Sequence, residues 1–171
     1  MLGCVNEVDN MSKDQLNNKE VLEKEIDLIQ GCINRMAQNS FMVKGWMITL
    51  VAVIIALLPE KVGIDIRVLC IIAFGVTLSL WYLDAFYLKM ERLFRWKYNW
   101  VIKNRLSVLD YAFDLNPHNS NTWIGGLREP YVVRIMFTKS IVPMYVLIVI
   151  IEIVVFLIAH NGWFVTPLAG G

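Results

Sequence analysis

Val68-Leu-Cys-Ile-Ile-Ala-Phe-Gly-Val-Thr-Leu-Ser-Leu-Trp-Tyr-Leu-Asp-Ala-Phe-Tyr-Leu88 carries a single charge, Asp84, near its end. About 20 residues of helix cross a ~30 Å hydrocarbon core, and a backbone in hydrocarbon must satisfy its own hydrogen bonds. A run of this kind therefore reads as a membrane-spanning helix. Two further runs match it: Phe41 to Leu58, broken only by Lys44, and Ser140 to Ala159, broken only by Glu152. The expected fold class is all-α, a multi-pass helical membrane protein with three transmembrane helices at 41–58, 68–88 and 140–159. The composition agrees, because 57% hydrophobic and 18% charged residues leave little polar surface to cover a soluble core in 171 residues. Three buried helices of a soluble protein are the alternative, and they would need a polar mass that this composition lacks.

Lysine and arginine set the expected orientation. The connection Pro59 to Arg67 holds only Lys61 and Arg67, balanced by Glu60 and Asp65, and the tail 160–171 holds no charged side chain besides His160. The other basic residues lie before the first run, at Lys44, or from Lys89 to Lys139. The positive-inside rule then places the N-terminus and residues 89–139 in the cytoplasm and the C-terminus outside. That is the topology of a bacterial inner-membrane protein with a periplasmic tail. The first forty residues are polar and do not resemble a secretory leader, so the first span is expected to direct insertion. Pro59 should end the first helix and make a tight hairpin with the second. Phe41, Trp46, Trp81, Tyr82, Phe86, Tyr87, Trp163 and Phe164 fall where interfacial aromatic belts would lie.

Residues 1–40 form the expected cytoplasmic N-terminal helix, with Ser12 as a candidate cap. Leu22, Ile26, Ile29, Ile33 and Met36 recur at spacings of four and three, the a/d stripe of a short coiled coil, with Glu20, Glu23, Lys24, Glu25 and Asp27 assigned to the other faces. This stripe either packs on the chain's own cytoplasmic segment or gathers copies of the chain. Gly31 weakens the helix in either case. The second span is expected to continue as a helix to Arg105, helped by the i,i+4 pair Glu91 and Arg95. Asn116 to Asn121 then reads as a turn or exposed loop.

The inventory for catalysis is thin. No nucleophile elbow, phosphate loop or metal-ligand spacing appears, so no catalytic residue, metal or cofactor is expected. Cys4, Cys32 and Cys70 are too scattered for a disulfide framework, and Cys70 reads as a small buried hydrophobe. His118 and His160 fall on opposite sides of the membrane in this topology. Asp84 and Glu152 are more informative, because a carboxylate in hydrocarbon is expensive and usually faces a bundle interior or a water-filled cavity. Glu152 would recur as a ring in a homo-oligomer, as in many cation pathways, or would be protonated and hydrogen-bonded between helices. Asp84 is expected near the interface, meeting Lys89 or another basic neighbour. Thr77 and Ser79 are expected to bond to helix carbonyls.

Arg92, Arg95, Trp96, Lys97, Tyr98, Trp100, Lys103 and Arg105 form a basic and aromatic cluster. Cations neutralise phosphates and aromatic faces stack on bases, so this mixture suits a nucleotide or single-stranded nucleic acid. It equally suits the anionic headgroups of the inner leaflet.

Two stretches carry a family resemblance: Leu28-Ile-Gln-Gly-Cys-Ile-Asn-Arg-Met-Ala-Gln-Asn-Ser-Phe-Met-Val-Lys-Gly-Trp46 and Trp81-Tyr-Leu-Asp-Ala-Phe-Tyr-Leu-Lys-Met-Glu-Arg-Leu-Phe-Arg95. Over most of residues 20–160 the chain resembles the small bacterial anti-phage membrane effectors typified by the Hailong system. It is more loosely similar to the two-span effectors that accompany nucleotide second-messenger synthases, from which its third span departs. The resemblance implies a homo-oligomeric ion channel, a tetramer, that depolarises an infected cell. It also implies control by a nucleotide or short DNA oligomer made by a partner nucleotidyltransferase. The alternatives are a non-conducting inner-membrane adaptor or phage-exclusion protein, a transporter subunit and an unrelated toxin.

Overall fold

The structure, a computed structural model, describes residues 2–57 and 66–160, with most side chains from Asn17 onward. Four α-helices follow in order: α1 (Leu2–Leu57), α2 (Ile66–Asn104), the short α3 (Val132–Met136) and α4 (Val142–His160), with a 3-10 turn at Ser120–Thr122. Among the described residues there is no strand, so the all-helical class stands. α1 and α2 are long and apolar enough to cross a membrane, and α4 is a shorter apolar helix. The expected hairpin at Pro59–Arg67 falls mostly outside the described residues, as does the tail beyond His160 with Trp163 and Phe164.

Two boundaries differ from the sequence expectation. Ser12 caps nothing, because α1 is already helical from Leu2 and nothing between Asn10 and Leu16 breaks it. α4 begins at Val142 rather than Ser140. Thr138 to Ile141 close a turn first, with the Ile141 amide bonded to the Thr138 carbonyl at 3.0 Å. Pro143 then sits in the first turn of α4, where its missing N–H leaves no helical bond unmade.

The chain divides into two compact units. The first comprises Met1–Gln38 and Tyr87–Pro130, and the second Asn39–Phe86 and Tyr131–Gly171. In the first unit, Ile29, Phe94 and Val101 form a buried cluster against which Leu22, Ile26, Cys32, Ile33, Met36, Tyr98 and Trp100 pack. The coiled-coil stripe packs within the chain, antiparallel to the last turns of α2, with Ile29 buried and Leu22, Ile26, Ile33 and Met36 partly so. Of the two readings of the stripe, packing on another segment of the same chain is the one seen here. Beyond α2, Asx turns shape the loop: the side chains of Asp114, Asn116 and Asn119 accept the amides of Asn116, His118 and Asn121. Gly125 and Gly126 occupy positive φ (76° and 63°), which glycine adopts without strain. Tyr111 and Phe113 hold φ of 58° despite their bulk, a strained conformation that the surrounding contacts must enforce.

In the second unit the buried positions follow helical periodicity. They are Ser40, Val43 and Met47 on α1; Cys70, Ala73, Thr77, Trp81, Asp84 and Ala85 on α2; and Tyr145, Ile148 and Glu152 on α4. The polar residues lie inside. Thr77 and Asp84 are 0% exposed and Glu152 8%, while Phe41, Ile48, Ile71 and Leu147 are 76%, 61%, 65% and 59% exposed. Trp81 is buried as well, stacked on Tyr145 at 5.5 Å with its indole N–H donating to the Met136 carbonyl at 3.1 Å. It belongs to the core of this unit and not to an aromatic belt. Tyr82, Phe41 and Trp46 remain outward.

Candidate functional site

The basic and aromatic residues of α2 divide into two groups. Arg105 is fully buried. Its guanidinium donates to both carboxylate oxygens of Glu25 at 2.5 and 2.9 Å and to the carbonyls of Val108, Asp110 and Tyr111 at 2.9, 2.7 and 3.2 Å, and it lies 5.4 Å from the Trp100 ring centroid. Lys97, also fully buried, pairs with Asp114 at 3.0 Å and donates to the Asn116 carbonyl at 3.1 Å. Neither cation is free to meet a ligand, so both leave the candidate binding surface. The reason is long-range pairing: their counter-charges come from Glu25 and from the loop.

Glu25 itself corrects the sequence reading. It was assigned to a solvent face, yet it lies three residues after Leu22 and four before Ile29, on the apolar stripe, and is 0% exposed. An acid on a core stripe was the available signal that it has a buried partner.

A different set lines a cavity. Trp96, Asn99 and Lys103, spaced three and four residues apart on one face of α2, border a recess of about 460 Å³ together with Ile124 and Leu127 from the loop. Trp96 meets Trp123 edge-on at 5.5 Å, which orients its ring. The recess thus offers an aromatic face, an amide and an exposed ammonium. Arg92 lies one turn before Trp96 on the same helical row. Arg95 is held by Glu91 at 2.7 Å and is otherwise exposed, while the Tyr98 hydroxyl accepts from Gln30 at 3.3 Å. Asn99 was missed because a lone asparagine carries no pattern, and Ile124 and Leu127 because only the fold brings the loop to α2.

Lys89, expected near Asp84, pairs instead with Glu129, which also meets the His118 ring at 3.1 Å. The Lys89 ammonium holds the Glu129 carboxyl below the usual carboxylate range, aided by His118 against the opposing effect of burial. Burial acts to raise Asp114, but hydrogen bonds from Asn119, the Asn116 amide and Lys97 outweigh it and hold Asp114 low.

Asp84 receives its partners from α1. Ser40 and Lys44 both donate to Oδ1, the lysine at 2.7 Å, and Lys44 also donates to Ser40 at 2.8 Å. Glu152 accepts from Thr77 at 2.6 Å through Oε1. Thr77 therefore bonds across to α4 rather than to a helix carbonyl, whereas Ser79 bonds to the Gly75 carbonyl at 2.9 Å as expected. Among the described residues, Asp84 Oδ2 and Glu152 Oε2 are buried without a hydrogen-bond partner. Thr77 and Asp84 are seven residues apart on α2, roughly 10 Å of helix rise, so the two acids are separate sites. No cluster of three or more His, Cys, Asp or Glu suited to a metal ion occurs among the described residues.

Compared with known proteins, the chain matches no family model, no curated protein and no solved structure.

Proposed function

We propose that the chain is a three-span membrane protein of the bacterial inner membrane that assembles from copies of itself into a ligand-controlled ion channel. α1, α2 and α4 supply the spans, with the N-terminus and residues 89–139 cytoplasmic. The membrane reading is supported by the inverted burial of the second unit, where large apolar side chains face outward and Thr77, Asp84 and Glu152 face inward. Water would penalise that arrangement and lipid favours it.

The observation that carries the ion-pathway reading is the pair of half-satisfied acids, Asp84 and Glu152, inside helices that are otherwise apolar. Such groups are retained in a bilayer where they meet ions, protons or one another. With Glu152 bonded to Thr77 inside a single chain, the arrangement reads as closed, and opening would part that bond. The recess at Trp96, Asn99 and Lys103 fits a base stacked on an aromatic face with a phosphate at the ammonium, the chemistry of a nucleotide or short single-stranded DNA. A ligand there acts only through its differential affinity for the closed and open states. By resemblance, the assembly is a tetramer acting in anti-phage defence, and its ligand comes from a partner nucleotidyltransferase. Copies would meet through surfaces other than the Leu22–Met36 stripe.

Binding of short DNA oligomers and nucleotides to the purified chain tests the ligand half of this reading. Trp96→Ala and Lys103→Ala are each expected to weaken binding about tenfold or more, given ~1–3 kcal/mol per stacked base. Binding unchanged in both variants would remove the recess from the site.

A non-conducting adaptor is the second reading. It is favoured by the exposed Leu106, Leu109, Tyr111 and Phe113 of the first unit, a surface that suits a protein partner. An adaptor predicts indifference to Glu152 and dependence on those four side chains.

A further inference from the structure

The segment around α3, which leads into α4, exposes aromatic and cationic side chains together. Tyr131 is 82% exposed, Val133 58% and Phe137 67%, and Arg134 and Lys139 are exposed beside them. Phe137 follows Arg134 by three residues and Val133 by four, so these three share the outer face of α3. Ile135 and Ile141 are buried and hold the segment from the other side. Trp81 fixes its seat: the indole N–H donates to the Met136 carbonyl at 3.1 Å, and the ring meets Phe137 edge-on at 5.6 Å. Trp81 precedes Asp84 by three residues, roughly 4.5 Å of helix rise. α3 is therefore held level with the charged end of the α2 span, where Lys44 pairs with Asp84. Neither the Arg134 nor the Lys139 side chain has an ion pair or hydrogen bond among the described residues. The described acids of this unit are Asp84 and Glu152, both buried, so the unit offers these cations no counter-charge of its own.

We propose that the outer face of α3 binds an anionic phospholipid of the cytoplasmic leaflet, its phosphate on Arg134 and its acyl chain against Val133 and Phe137. The surroundings select this occupant. Water would leave three large apolar side chains uncovered, and pure hydrocarbon would strand two cations. The boundary between headgroups and acyl chains takes both, since aromatic rings and basic side chains are the residues that settle there. A guanidinium forms two parallel, charge-assisted bonds to a phosphate, and Lys139 adds to the local positive charge. A second copy docking symmetrically by the same face would instead bring like charges together. The apolar surface also continues beyond α3, through the exposed Val146, Leu147 and Ile150 of α4, as the path of an acyl chain requires. This inference rests on the membrane reading of α2 and α4 but not on conduction.

The test uses the full chain with Val133 replaced by the photo-crosslinker p-benzoylphenylalanine, in phosphatidylcholine bilayers containing a minor fraction of tritiated phosphatidylglycerol. Flotation with lipid is checked first; failure to float overturns the membrane reading and the lipid site with it. With the chain in the bilayer, light should couple phosphatidylglycerol to it in excess of that lipid's share of the membrane. Arg134→Gln and Lys139→Gln should each lower the excess about fivefold, the ratio that one basic residue contributes at an anionic membrane surface. Lys24→Gln removes a charge from the first unit and should leave the excess unchanged. Coupling only in proportion to the lipid's share would overturn the site while leaving the membrane reading intact. An equal loss in Lys24→Gln would also overturn it, because net charge and not α3 would then gather the lipid. A chain-to-chain adduct in place of a lipid adduct would overturn it as well, by showing that a second copy covers this face.

Discussion

Replacing Arg105 by alanine removes the cation paired with buried Glu25 and strips the Val108, Asp110 and Tyr111 carbonyls of its donated bonds. Breaking one side of a fully buried pair costs about 3–5 kcal/mol, because the remaining charge is stranded. The three carbonyls belong to an exposed loop and can turn to water, so they add little beyond their lost net bonds, about 1 kcal/mol each at most. Taking the middle of the range, the first unit should lose about 4 kcal/mol. Hydrogen exchange of the full chain in detergent reads this locally, because amides near Ile29 and Val101 exchange through opening of their own unit. A loss of 4 kcal/mol corresponds to roughly a thousandfold faster exchange there, while amides around Ala73 and Ile148 should be unaffected. Glu25→Met combined with Arg105→Met removes both charges and fills the space with hydrocarbon. It should recover most of the loss, because neither desolvation penalty remains. Exchange in Arg105→Ala within tenfold of wild type would refute the buried-clasp argument. A double variant no better protected than the single would refute its attribution to stranded charge.

Three other outcomes follow from the same geometry. Lys44→Met leaves Asp84 without its cation, beside the hydroxyls of Ser40 and Tyr145, and should destabilise the second unit by about 2 kcal/mol, less than for a fully buried pair because Lys44 is 28% exposed; adding Asp84→Asn should restore thermal stability in detergent, and no restoration would contradict the pairing. Gly31→Ala adds a Cβ with nothing within 4 Å and should stabilise α1 by about 0.5–1 kcal/mol, seen as a raised unfolding temperature. Glu129 and Asp114 have lowered folded-state pKa values, so their contribution is complete above the ordinary carboxylate range of about pH 4 and is lost as pH falls through the depressed values. Glu129→Gln should lower stability at neutral pH, where the ionised carboxylate contributes, and flatten part of the acid limb of a stability–pH profile below about pH 4.

The helices were legible because three apolar runs, each with a single charge, have one physical explanation in water and another in lipid, and because Leu22 to Met36 repeats at helical spacing. What the stripe packs against was not legible. A 3.5-residue repeat specifies a partner helix without saying whether it belongs to the same chain, and Phe94 and Val101 supply it from about 70 residues away. The same limit split the basic cluster. Lys97 and Lys103 are both lysines on α2, and only Asp114 folding back onto Lys97 makes one structural and leaves the other exposed. Asp84 and Glu152 stood out as isolated charges in apolar sequence, but their partners, Lys44 and Thr77, lie 40 and 75 residues distant. Lys89 was the nearer choice on the chain and the wrong one, since Glu129 claims it.

The central claim concerns ions crossing a bilayer, and flux through the purified chain in liposomes measures that directly. The account predicts cation flux that short DNA oligomers or nucleotides alter, and that Glu152→Gln changes in rate or selectivity while the protein still assembles and inserts. Absence of flux under every ligand condition, from protein shown to be inserted and assembled, would contradict the channel and favour the adaptor.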